Sequence, residues 1–154
     1  MLIFSNIFGQ RAFVRNVGWL LCITGLAKVV SFFGHSAVLQ TREPISQIPF
    51  RELFLVAGVI ELGVAAFCLM SKRLNHSTLV IAWLSTVFLA YRFSLAWIGW
   101  QLPCPCLGNF VDTLHISPLI ADLAMKAMVT YMFAMSYIHL LCSKMFKRNE
   151  EISC

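Results

Sequence analysis

Charge is scarce in this chain. Only 12% of its 154 residues are Asp, Glu, Lys or Arg, against roughly 25% in soluble domains. So few charges cannot cover a water-facing surface, which excludes a soluble globular domain. The same shortage, beside 59% hydrophobic residues, excludes a disordered chain, which needs low hydrophobicity and high net charge. With 8 glycines and 5 prolines there is neither a collagen-like period nor a low-complexity tract. No internal repeat and no soluble appendage is visible. Six cysteines are too few for a disulfide-rich secreted scaffold. What remains is a small integral membrane protein. Acidic residues are the scarcer sign, 7 against 12 basic. In a membrane chain that excess sets orientation first and does not point to nucleic acid.

Runs of about 17–25 mostly apolar residues read as membrane-spanning helices, because a helix satisfies its own backbone groups inside lipid. Four such runs predict an all-α four-helix transmembrane bundle, a single membrane domain over residues 1–154. The spans are expected near 15–34, 52–71, 78–98 and 118–143, with loops at 35–51 and 99–117. Ser117 followed by Pro118 is a start signal for the fourth helix, and Pro49 marks the entry of the second. The first run follows Arg11 and Arg15 like a secretory signal. It is too long for that, carries Lys28 and lacks a small-residue cleavage site, so it reads as a retained span.

Basic residues choose the topology. Arg11, Arg15, Lys72, Arg73, Lys144, Lys147 and Arg148 flank the spans on one side, and only Arg42 and Arg51 on the other. The positive-inside rule then makes both termini cytoplasmic and both long loops external. In a bacterium the chain is a multi-pass protein of the cytoplasmic (inner) membrane, in contact with the lipid bilayer, its long loops periplasmic. Trp19, Trp97 and Trp100 suit the interfacial belts.

Cys22 lies within the first span, and Cys68, Cys142 and Cys154 lie at the cytoplasmic end, where thiols stay reduced. Only Cys104 and Cys106 face the oxidising side, in Leu102-Pro103-Cys104-Pro105-Cys106-Leu107-Gly108. Two residues apart, their alpha carbons are separated by at most about 7 Å, and a disulfide needs roughly 4.4–6.8 Å. A bridge is possible but closes a very small ring. Such strain raises the reduction potential, which suits a labile or catalytic disulfide, whereas so short a loop gains little stability from closure. Pro103 and Pro105 hold the residues before them in extended conformations. Three chemistries fit the pair: an inert or merely loop-pinning pair, a redox-active dithiol/disulfide, and a metal or haem site. The strain argument places the redox pair first. A metal site would use the soft thiolates for Cu(I) or Zn, with His115 or His35 adding a nitrogen. The chain has no room for the domains of a copper-pumping ATPase.

Beyond this heptad, Gly25-Leu26-Ala27-Lys28 in the first span, Ile60-Glu61-Leu62-Gly63 in the second and Cys-x-Cys-x-Gly after the third form a pattern. Together with four short spans, it resembles the MauE/DoxX-like redox-associated membrane proteins, over most of the chain. MauE-like members typically show Cys-x-Cys-Phe-Gly, and Leu107 stands here in place of Phe. The resemblance implies a role near periplasmic thiol chemistry. MauE is associated with maturation of the disulfide-rich small subunit of methylamine dehydrogenase. DoxX-like relatives are linked to sulfur-compound oxidation and quinone-coupled electron transfer. Kinship of fold does not fix the substrate, methylamine included.

Lys28, Glu61, Arg92, Asp122 and Lys126 all lie within spans. A charge at the bilayer centre costs about 2.5–3.5 kcal/mol on the mild insertion scale, so partners are expected. Asp122 and Lys126 share a helix face, as do Thr24, Lys28 and Ser31. Gly58, Glu61, Ala65 and Cys68 form a small-residue face suited to close packing. One reading is a structural ion-pair network with snorkelling to the interface. The other is a supporting polar cluster beneath the cysteine loop, which binds a quinone head group or handles protons. Tyr91 is placed to add a hydroxyl. Met125, Met128, Met132 and Met135 recur at helical spacing and read as packing residues. His76 and His139 read as incidental. Ile45, Ile48 and Phe50 suit a loop that lies on the membrane as a lid.

The chemistry expected is thiol–disulfide exchange, with Cys104 and Cys106 as the catalytic pair and a periplasmic protein thiol or quinone as the partner. The alternative is a non-catalytic assembly factor or a metal-binding subunit.

Overall fold

The computed structural model describes residues 2–33, 42, 43, 45, 47–99 and 117–152, with the backbone alone at 2–8, 118 and 146–152. Four helices account for almost all of these residues: α1 (Leu2–Phe32), α2 (Phe50–Met70), α3 (Leu74–Trp97) and α4 (Pro118–Ile152). Among the described residues no strand occurs, only an isolated bridge between Arg42 and Pro49. Each helix contains a stretch long and apolar enough to cross a membrane: Gly9–Phe32, Phe50–Met70, Leu74–Trp97 and Leu119–Met145. The described residues are therefore all-helical in class, with four spanning-capable helices, a multi-pass membrane architecture.

The helix ends follow local chemistry. Helix α1 begins at Leu2, well before the first apolar run, because nothing in the preceding residues breaks a helix. Pro49 lacks an N–H and leads directly into α2, its carbonyl accepting from the amides of Glu52 (3.0 Å) and Leu53 (3.3 Å). Helix α4 opens on Pro118, with the Ser117 carbonyl receiving the amides of Ile120 and Ala121. Proline at a first helical position costs nothing, since its missing N–H would be unpaired there anyway. Between α2 and α3 the chain turns in three residues, 71–73, where the Arg73 amide donates to the Ser71 hydroxyl.

Helices α1 and α2 run antiparallel and pack most closely. At their crossing Gly25 faces Gly58: a Cβ on Gly25 would stand 3.1 Å from the Gly58 carbonyl oxygen, and one on Gly58 would stand 3.0 Å from the Gly25 oxygen. Small residues let two backbones approach inside a membrane, and that approach fixes the register of this pair. Helix α4 packs antiparallel on α3, while α2 and α3 touch little beyond their short connection. The bundle is thus two helix pairs.

Its core fills the half nearer that turn. Phe13, Val14, Val17 and Leu21 of α1 meet Val64, Ala65 and Cys68 of α2, Ile81 and Leu84 of α3 and Met132 of α4. The methionine stripe of α4 belongs to this packing: Met125 and Met132 are buried, and Met128 and Met135 lie against the core. Outward-facing positions remain large and apolar, among them Trp19, Ile23, Val59, Leu79 and Leu123, a surface suited to lipid contact. Trp97, at the end of α3, is 81% exposed.

Candidate functional site

The other half of the bundle, toward the Phe32 and Phe50 ends, carries the charges. On α1, Thr24, Lys28 and Ser31 fall on one face, and all three are buried. The glycine crossing brings that face onto Glu61 of α2. Lys28 Nζ donates to both carboxylate oxygens, 2.6 Å to Oε1 and 2.7 Å to Oε2. The Thr24 hydroxyl donates to Oε2 at 3.0 Å. Lys28 is 5% exposed and Glu61 1%, so Lys28 does not snorkel to the interface. It is committed to the neighbouring helix.

A second group joins α3 to α4. Arg92 donates to Asp122 Oδ1 at 2.5 Å, and Lys126 reaches Asp122 Oδ2 at 2.6 Å from one turn further along α4. The Lys126 side chain is 59% exposed. A third contact ties in the segment before α2. Glu43, almost fully buried, accepts from the Tyr91 hydroxyl at 3.2 Å and from the Ile45 amide at 3.0 Å. Its backbone closes a tight loop, with Glu43 N–H donating to the Ile48 carbonyl and the Gln47 N–H donating to the Glu43 carbonyl. Gln47 takes a positive φ of 60° to make that turn. Alongside, Arg51 donates to the Phe32 carbonyl at 2.9 Å and stacks its guanidinium 4.6 Å above the Phe32 ring. Glu43 thereby fastens the segment to α3, and Arg51 in the first turn of α2 ties that helix to the end of α1. Ile45 and Ile48 stay exposed on the segment, and Phe50 turns inward onto Phe54.

The five intramembrane charges therefore form two groups, Lys28 with Glu61 and Arg92 with Asp122 and Lys126. The Tyr91 hydroxyl serves neither directly, since its partner is Glu43. Sequence reasoning singled out neither Glu43 nor the space between the groups. That space is a cavity of about 270 Å³ bounded by all four helices. Lys28, Glu61, Tyr91 and Arg92 line it together with Leu84, Met125 and Val129. Val56, Ile60, Trp83 and Val87 also line it, and all four are exposed on the outside of the bundle. The cavity is thus open sideways, between α2 and α3, toward the region a bilayer would occupy.

Cys104 and Cys106, together with the alternative metal ligands His115 and His35, lie outside the described residues. Cys22, Cys68 and Cys142 are free thiols. Among the described residues no group of three His, Cys, Asp or Glu side chains is placed to hold a metal ion. The His139 ring packs 5.3 Å from that of Phe13, and its Nε2 is buried with no hydrogen-bond partner among the described residues. Comparison with protein-family models, with curated proteins and with solved structures gives no match, so the function is argued from this geometry and from the sequence.

Proposed function

We propose that this chain is a membrane-embedded, redox-associated protein that supports thiol–disulfide chemistry outside the bacterial cytoplasmic membrane. The observation that carries this reading is the Lys28–Glu61 pair, held by Thr24 inside two spanning helices and lining a cavity rather than sealed in the core. Burying an ion pair is a poor way to gain stability, since desolvation offsets the attraction. Ionisable groups within spans point to function by default. The second support is position. Arg92 and Asp122 bind together the ends of α3 and α4, the two helices joined by the loop that carries Cys104 and Cys106.

The exchange balances as follows. A substrate thiolate attacks one sulfur of the Cys104–Cys106 disulfide, forming a mixed disulfide and releasing the other cysteine as a thiolate. A second substrate thiol, deprotonated, resolves it, so the substrate leaves oxidised by two electrons and the pair is left as a dithiol. Reoxidation passes two electrons and two protons to an acceptor, either a partner protein or a membrane quinone reduced to the quinol. The sequence has no second external cysteine pair to relay them. The resemblance to MauE/DoxX-like proteins supports the same chemistry.

The test uses Cys104→Ser and Cys106→Ser in intact cells. Each change leaves one thiol able to attack but none to resolve, so each variant should accumulate mixed disulfides, and the two should differ in amount. If neither traps a partner and both instead lose bound copper or zinc to the same degree, the pair is a metal site of a non-catalytic subunit, with His115 as a further ligand.

A further inference from the structure

We propose that the sideways-open cavity between α2 and α3 binds an uncharged amphiphile from the bilayer, with its carbonyl-bearing head at Lys28 and its hydrocarbon tail leaving between Ile60 and Trp83. The route follows from the walls. The mouth consists of apolar side chains that face outward, Val56 and Ile60 on α2 and Trp83 and Val87 on α3, so a ligand arrives through lipid rather than water. Its size follows from the volume. About 270 Å³ is at or below the lower end of ligand pockets, roughly 300–1,000 Å³. The space takes a head and the first part of a chain, and the remainder stays among the lipid tails.

The head's charge follows from the balance of the groups around it. Among the described residues the cations that line the cavity are already matched, Lys28 by Glu61 and Arg92 by Asp122. An anionic head would add a negative charge with no free cation to match it, and an unpaired charge in a low-dielectric site is strongly disfavoured. A cation would do the converse. What the site offers is a donor: an ammonium carries three N–H groups, and Lys28 spends two of them on Glu61. The third suits a carbonyl acceptor at the cavity wall. Any metabolic use of the ligand rests on the thiol reading above, but its binding does not.

For that reason the experiment is run on the Cys104→Ser/Cys106→Ser chain in lipid nanodiscs. The probe is the methyl ester of a long-chain fatty acid with a photoactivatable diazirine in its tail. The comparison is the alkyl sulfate of equal length with the same diazirine. The ester should label saturably, with cross-links concentrated on residues 53–60 of α2 and 83–88 of α3. The sulfate should need at least roughly tenfold more probe, given the cost of an uncompensated buried charge. Ala57→Trp, which fills the cavity without touching an ion pair, should abolish saturable labelling, whereas Val59→Trp on the outer face should not. Labelling that is unsaturable, spread over the whole lipid-facing surface or retained in Ala57→Trp would overturn the proposal. So would an equal or higher affinity for the sulfate in the parent chain. None of these outcomes depends on whether Cys104 and Cys106 exchange.

Discussion

Glu61 holds three hydrogen bonds on two oxygens, two from Lys28 and one from Thr24, and is buried. Removing one member of such a pair strands the other charge, which typically costs 3–5 kcal/mol, whereas replacing both by apolar residues of similar volume is often neutral. Glu61→Gln and Lys28→Met should therefore each lower thermal stability in detergent severely, and Lys28→Met/Glu61→Leu should recover most of the loss. The double variant then separates stability from chemistry. If it folds, reaches the membrane and still supports substrate oxidation, the pair is structural only. Its residues were legible in the sequence as charges within spans, but their pairing was not. Which in-span cation meets which anion depends on helix register, and that depends on a backbone approach no hydropathy pattern encodes. Glu43 was missed for another reason. A glutamate between Arg42 and Pro44 looks like any solvated loop residue, and only the folding of that loop onto Tyr91 buries it.

At the scale of elements, the α1–α2 crossing is the most tightly specified contact. Gly58→Val would drive side-chain atoms into the Gly25 carbonyl and into Val29 Cγ2, each 3.0 Å from where even a Cβ would stand. Backbone cannot yield as a side chain can, so α1 must shift and Lys28 with it. Overpacking of this kind costs about 1–3 kcal/mol. Gly63, one turn further along α2, has nothing within 4 Å of its Cβ position. Gly63→Ala should be neutral or stabilising by up to about 1 kcal/mol through helix propensity. Melting temperatures of the two variants in one detergent check the contrast. The helices themselves were visible as apolar runs. Their ends were less so: the observed α1 starts at Leu2 because a helix can continue past its apolar stretch, where a hydropathy pattern falls silent.

For the whole molecule, four antiparallel helices return the end of α4 to the side on which α1 begins. By the positive-inside rule the distribution of Lys and Arg predicts that this side is cytoplasmic, a matter of insertion rather than of packing. A membrane-impermeant maleimide applied to intact, reduced cells should therefore label Cys104 or Cys106 and spare Cys68, Cys142 and Cys154. Labelling of Cys154 from outside would reverse the orientation and remove the oxidising environment that the thiol chemistry requires.

Lys28 and Glu61 are 33 positions apart in the chain, so one leaves the ribosome well before the other. Until α2 follows, α1 carries an uncompensated ammonium whose transfer into lipid costs about 2.5–3.5 kcal/mol. Asp122 differs, because Arg92 precedes it and Lys126 follows within one turn of the same helix. Insertion of α1 and α2 as a pair would spare that cost, because Glu61 then neutralises Lys28. The tight Gly25–Gly58 crossing is the contact that would hold such a pair together.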